Sequence, residues 1–403
     1  MAGGASADIF PRAVVLIVLD SVGIGGAPDA AAYGDHGSAT LPHVASAVGG
    51  IALPHLAEFG LGNLARVDGV PPTDAARGAF GILTERSAGK DTTTGHWELM
   101  GVVLDDPFPT YPHGFPTDII AELERRTGRP TIGNKVASGT EIIDELGEEH
   151  MRTGAPIVYT SADSVFQIAA HEGVVPLDEL YEICRAARAI LSGPHEVGRV
   201  IARPFVGAPG SFERTANRHD YSRLPPADTV LDEIVRAGLE VRGVGKIHDI
   251  FAGRGVSHSR PTRSNADGID AVIAETAAIE RGLVFANLVD FDQSYGHRND
   301  PAGYAHALEE FDARVPEIVA TLDDDDVLIV TADHGNDPTT LSTDHSRERV
   351  PLLVSGARVA GGTDLGVRSS FADCGATIAD LLGVSSGAAG TSFAGAILVT
   401  ASP

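Results

Sequence analysis

Three runs of consecutive apolar, largely β-branched residues punctuate the chain, and each ends in acid. "AVVLIVLD" closes on Asp20, "LVFANLVDFD" on Asp290 and Asp292, and "VLIVTADH" reaches Asp333. Continuous runs without alternation predict strands buried on both faces, as in a parallel sheet covered by helices. "LEVRGVG" (239–245) and "VPLLVSG" (350–356) read as further strands. Helical patterns lie between them. "DTVLDEIVRAG" starts after Pro225-Pro226 and stops at Gly238, with good start and stop chemistry. "YAHALEEFDARVPEIVATL" lines Leu308, Phe311, Val315, Ile318 and Leu322 along one side, with Pro316 predicting a kink. Strand-helix alternation of this kind predicts an α/β fold.

The middle of the chain breaks the pattern. From Asp106 it turns proline-rich ("DDPFPTYPHGFP"), then passes through "IIAELERRTG", "PIVYTSAD" and "VGRVIARPFVG" to the loop-like "ERTANRHDYSRLPPAD". These features predict an inserted α+β domain over 106–222. The flanks, 1–105 and 223–403, would then form one core, a mostly parallel sheet between helices. The run "DDDD" at 323–326 reads as a solvated turn before a strand.

Composition narrows the function classes. A chain of 403 residues is long enough for two domains with large cores. With 43% hydrophobic and 21% charged residues it is an ordinary globular protein. A formal charge of −25 argues against binding nucleic acid or an anionic membrane, which both require basic surface. The apolar run 13–19 is too short for a bilayer, which takes about 20 residues, and "MAGGASADIFPR" has no apolar leader core. Cys184 and Cys374 show no CxxC spacing and no disulfide framework. A cytoplasmic setting is therefore expected. Lysine occurs only at 90, 135 and 246, each time in a glycine-bearing stretch from which a side chain can reach a phosphate.

The acids and histidines at the strand ends form one set: Asp20, Asp292, His297, Asp333, His334 and His345. Mixed Asp/His donors suit Zn²⁺ or Mn²⁺ better than Ca²⁺. Six such groups are too many for one catalytic ion with an open position and suit two ions sharing a substrate oxygen, the arrangement used in phosphoryl transfer. A nucleophile is offered by "GKDTTTGHWELMG" (89–101), with Thr92, Thr93 and Thr94 beside Lys90 and His96. Spacing does not choose among the three threonines. The glycine-rich "DSVGIGGAPDA" lacks the GxGxxG spacing of a dinucleotide site, and Asp20 would repel a phosphate there.

In order along the chain, "VVLIVLDSVGIGGAPDA", "GKDTTTGHWELMG", "SADSVFQIAAHE", "NLVDFDQSYGHR", "TADHGNDPTT" and "TDHSRERVP" resemble the bacterial-type phosphopentomutase family. That family belongs to the alkaline phosphatase superfamily, which also holds the cofactor-independent phosphoglycerate mutases. The resemblance implies an alkaline-phosphatase-like core with a cap domain. It implies reversible interconversion of (deoxy)ribose 1-phosphate and 5-phosphate through a phosphothreonine and a bisphosphate intermediate. Thr92 is the implied nucleophile; the next position, Thr93, departs from the methionine expected there. Asp20, Asp333 and His334 are implied to join Thr92 at one Mn²⁺, and Asp292, His297 and His345 to hold a second. Asp290, Asp337 and Asp344 are then supporting residues. Ser161 and Asp163 are implied to lie near the sugar, and Arg199 and Lys246 to hold the far phosphate, with Arg203, Arg214 and Arg218 as near-equivalent competitors. A sugar bisphosphate such as glucose 1,6-bisphosphate is implied as activator, small pentose phosphates as partners, and a monomer or weak oligomer as the state. The rivals are another chemistry on the same metals (phosphoglycerate mutase, phosphatase or sulfatase) and a binding protein without activity.

Overall fold

The computed structural model describes residues 10–161 and 164–399. The chain divides into two compact units: one comprises the chain up to Asp106 and from Pro225 onward, the other Pro107–Leu224.

The first unit is built on a nine-stranded sheet. Numbered along the whole chain, its strands are β1 (Ala13–Leu19), β2 (Gly25–Gly26), β3 (Ala79–Leu83), β10 (Glu240–Val244), β11 (His258–Arg260), β12 (Gly282–Leu288), β13 (Val327–Thr331), β14 (Glu348–Ser355) and β15 (Asp364–Arg368). Their order is β11-β10-β12-β1-β13-β14-β3-β15, with β2 added alongside β14. β1 lies between β12 and β13 and is parallel to both, so Val18 stands opposite Asn287 on one side and Thr331 on the other. Every residue of β1, β12 and β13 is buried. Because successive side chains point to opposite faces, both faces of the sheet centre are covered. That is why these runs lack alternation. β14 runs antiparallel to its neighbours β13 and β3. The helices Asn265–Ala278 and Pro301–Val319 pack together, as do Thr92–Leu99, Val230–Arg236 and Ala372–Leu382.

The helix Pro301–Val319 runs on through Pro316, which sits in its last turn. The Asp312 carboxylate on the same helix accepts the backbone N–H groups of His55 and Leu56 and so caps a neighbouring helix. The four-aspartate run is not wholly solvated. Asp326 is buried and accepts from the Ala13 N–H at 2.7 Å and from the Arg12 guanidinium, joining the starts of β13 and β1. By contrast, the helix Val230–Arg236 carries a capping box formed by Thr229 and Asp232, the start that its sequence signalled.

The second unit holds a six-stranded mixed sheet of β4 (Ile132–Val136), β5 (Ile157–Thr160), β6 (Val165–His171), β7 (Arg199–Val206), β8 (Glu213–Arg214) and β9 (His219–Ser222). One apolar cluster joins Phe166, Ile168, Val200 and Ala202 to Leu180, Ile183 and Ala187 of the helix Leu177–Ile190. Another joins Ile157, Tyr159 and Phe205 to Ile142 and Ile143 of the helix Gly139–Thr153. No helix among the described residues is long and apolar enough to cross a membrane.

Candidate active site

The site follows from the parallel register of β12, β1 and β13. Three adjacent strands end at one edge of the sheet, and each is followed within a few residues by an acid: Asp292 after β12, Asp20 after β1 and Asp333 after β13. Ser21 takes a left-handed backbone conformation (φ 70°) directly after Asp20. In this conformation its N–H donates to Asp333 Oδ1 at 3.1 Å, while its hydroxyl meets Tyr304 at 3.0 Å. A non-glycine residue held at positive φ beside three acids is strain of the kind found at functional sites.

The helix Thr92–Leu99 reaches the same place. Asp91 caps it, accepting the N–H groups of Thr93 and Thr94 and the Thr94 hydroxyl. Gly95 permits the approach: a Cβ there would lie 2.2 Å from the Asp333 carbonyl oxygen. The helix thereby sets Thr92 Oγ1 3.2 Å from His334 Nε2. His96, one turn on, points Nδ1 at the Thr92 carbonyl (2.9 Å) and at Asp333 Oδ2 (3.1 Å).

The six acids and histidines converge. The donor atoms of Asp20, Asp292 and His334 lie within 4.8 Å of one another, and so do those of Asp292, His297 and His345. Asp333 Oδ2 is 3.4 Å from His334 Nε2. Asp292 thus belongs to both groups, where the resemblance implied a clean division between two sites. His297 donates Nδ1–H to the Thr343 carbonyl at 2.6 Å, and His334 donates Nδ1–H to the Gly335 carbonyl at 3.0 Å. These contacts fix both tautomers and leave each Nε2 facing the carboxylates.

Electrostatics test whether cations fit. Burial and neighbouring Asp333 push the Asp20 carboxyl above its usual range. Burial opposes charge on Asp292 as well, yet His345 and His297 beside it hold it well below. Burial also opposes charge on His334, but Asp333 and Asp20 raise it well above its ordinary value. His297 is pushed up to about 9, because its bond to Asp292 outweighs its own burial. The carboxylates therefore draw positive charge onto whatever stands among them. Asp20 Oδ1 and His345 Nε2 are buried donor atoms without a hydrogen-bond partner among the described residues. Oxygen and imidazole donors in this proportion fit divalent transition metals.

The remaining site expectations are spread over both units. Lys246 follows β10 and is half-buried. In the second unit, Ser161 follows β5, and Arg199 at the start of β7 is 3.5 Å from Asp220. Arg203 donates to Gln167, and Arg218 makes a two-pronged bond to Asp220. Asp163 lies outside the described residues. Lys90 binds Asp35 and Asp344. Sequence reasoning passed over Asn287, Asn336 and Ser21. Asn287 had a usable signal, being the one polar side chain within the apolar strand "GLVFANL".

Residues 12–386 match the family described as the Metalloenzyme superfamily. The chain is 58% identical over 387 residues to a phosphopentomutase of Desulfitobacterium hafniense, covering 96% of this chain and 100% of that one. It is 60% identical to a phosphopentomutase of Symbiobacterium thermophilum, covering 95% and 98%. The chain belongs to the phosphopentomutase family. Among solved structures it is similar to a phosphoglycerate mutase of Leishmania mexicana, with a TM-score of 0.50 at 15% identity, covering 98% of this chain and 99% of that one. At that identity the likeness concerns fold alone: the two chains share an α/β architecture. Superfamily membership and the two donor groups together make this phosphopentomutase-family chain a divalent-metal enzyme.

Proposed function

We propose that the enzyme moves a phosphoryl group between the C1 and C5 oxygens of ribose and deoxyribose, with Thr92 as the carrier. The observation that carries this reading is the Thr92 hydroxyl, 3.2 Å from His334 at the edge of a buried, cation-demanding carboxylate cluster. Identity of 58% over nearly the whole of a phosphopentomutase supports the substrate class.

Phosphorylated Thr92 gives its phosphoryl group to the free hydroxyl of the sugar monophosphate. The threonine O–P bond breaks, a sugar O–P bond forms, and the hydroxyl proton ends on the threonine oxygen. The bisphosphate then presents its other phosphate, and the reverse exchange restores phospho-Thr92. His96 holds the Thr92 carbonyl and Asp333 together, so the nucleophile and the donor cluster keep one geometry. Asp20, Asp333 and His334 with Thr92, and Asp292, His297 and His345, would hold two divalent cations, Mn²⁺ in our reading, with Asp292 near both. Two such cations supply charge stabilisation to the transferring phosphoryl oxygens. Ser161, Asp163, Arg199 and Lys246 are our candidates for binding the sugar and its second phosphate. Arg suits the latter because its planar fork matches phosphate oxygens. A sugar bisphosphate such as glucose 1,6-bisphosphate would prime Thr92. We read the enzyme as a cytoplasmic monomer or weak oligomer.

The test is direct. Mn²⁺-loaded protein primed with the bisphosphate is incubated with ribose 5-phosphate and followed by phosphorus NMR. Ribose 1-phosphate is expected. Release of inorganic phosphate in its place would make the protein a phosphatase.

A further inference from the structure

Each of the three carboxylates at the strand ends has one oxygen tied down by an uncharged donor. For Asp333 the donor is the Ser21 main-chain N–H, at 3.1 Å to Oδ1. For Asp20 it is the Asn287 amide, at 3.1 Å to Oδ2. For Asp292 it is the Asn336 amide, at 2.8 Å to Oδ1. Both asparagines are fully buried. In each, the amide oxygen finds no hydrogen-bond partner among the described residues. Turning either amide over would set oxygen against a carboxylate oxygen, so the donor assignment follows from the chemistry of the neighbour. Asn336 Nδ2 also lies 3.2 Å from His297 Nδ1, but that nitrogen already donates to Thr343, so the bond to Asp292 is the operative one.

Packing alone does not account for these choices. Asn287 interrupts a strand whose other side chains are all apolar. Asn336 sits where an apolar residue would leave no amide oxygen stranded. A buried amide with half its capacity unused is unfavourable unless its donor is needed. An arginine or lysine could also hold these carboxylates, but its charge would compete with a cation. An amide holds one oxygen still and leaves the carboxylate its full charge. In Asp20 the consequence is visible: Oδ2 is held, and Oδ1 is left among the other donors, 3.4 Å from His334 Nε2.

We propose that Asn287 and Asn336 are positioning residues that set divalent-cation affinity, Asn287 through Asp20 and Asn336 through Asp292. The inference rests on the two-cation reading above. Loss of a group that orients a metal ligand weakens metal binding by about 10- to 100-fold. The experiment is Mn²⁺ titration calorimetry of the metal-stripped full chain, wild type beside Asn287→Leu and Asn336→Leu, which keep volume and remove the donor. Circular dichroism checks each fold, and Asn287→Ala and Asn336→Ala replace any leucine variant that does not fold. Wild type is expected to bind two ions, and each variant to lose about 10- to 100-fold in the affinity of at least one. Two binding steps in wild type with unchanged affinities in both variants would overturn the asparagine assignment, even if the variants melt earlier. Fewer than two ions in wild type would instead overturn the two-cation reading.

Discussion

The Thr92 hydroxyl oxygen stands 3.2 Å from His334 Nε2, whereas the Thr94 hydroxyl is turned to its own N-cap, Asp91. This relationship separates residues that are equivalent in the sequence. Thr92→Ala should abolish phosphoprotein formation and lower mutase turnover by at least about 10³-fold, as for loss of a covalent nucleophile. Thr93→Ala should keep both. Intact-protein mass spectrometry after priming with a sugar bisphosphate reads the outcome. A phosphorylated Thr92→Ala chain would move the role to a neighbouring threonine.

Gly95 should be nearly as sensitive as the nucleophile, for a steric reason. Its Cβ would meet the Asp333 carbonyl oxygen at 2.2 Å, and neither backbone can yield without moving the helix or the strand end. Gly95→Ala is expected to cost about 1–3 kcal/mol in stability, the range for overpacking. It should also reduce turnover by displacing Thr92 from His334. Urea unfolding with steady-state kinetics measures both. A variant that loses stability and keeps full turnover would show that the Thr92 placement does not depend on this contact.

Arg347 holds the approach to the nucleophile. Its guanidinium is buried and donates to Glu85 Oε2 (2.6 Å), to the carbonyls of Ser87 (2.8 Å) and Gly89 (2.6 Å), and to Asp29 (3.0 Å), and it stacks on Tyr33. Removing one partner of a buried ion pair costs about 3–5 kcal/mol, so Arg347→Ala should unfold at markedly lower urea. Arg347→Lys should recover little, because a single ammonium cannot serve two carboxylates and two carbonyls spread along a planar fork. A lysine variant as stable as wild type would contradict this account.

Much of the site was legible because its chemistry sits at the ends of uninterrupted apolar runs. Such runs predict adjacent buried strands, and Asp20, Asp292 and Asp333 are brought together once β12, β1 and β13 are parallel neighbours. Their supports were not legible. Asn287 and Asn336 have an ordinary residue type, and only the carboxylate each one faces gives it meaning. Asp326 looks solvated within four aspartates, and its partner Arg12 is 314 residues away along the chain. Ser21 carries no sign of its positive φ, which the fold imposes. In the second unit, arginines 199, 203 and 218 share the neighbourhood of Asp220, so spacing along the chain had no means of ranking them.

His150 in the second unit gives a pH dependence separate from the metal cluster. It is buried, donates Nδ1–H to the Ala155 carbonyl at 2.7 Å, and accepts the His171 N–H at Nε2 at 2.8 Å. Accepting at Nε2 needs the neutral ring, and burial holds its pKa below the ordinary 6.5. The unfolded chain takes up this proton once pH falls below that ordinary value, while the folded chain does not. Its contribution is therefore complete above the unfolded pKa, and it is lost as pH falls towards the folded one. His150→Gln should cost about 1–2 kcal/mol at neutral pH, from the lost bonds. That deficit should shrink on acidification, because glutamine does not titrate. Urea unfolding of both proteins at pH values above and below the ordinary histidine pKa measures the difference. A deficit that stays constant or widens at low pH would show that His150 is protonated in the folded chain.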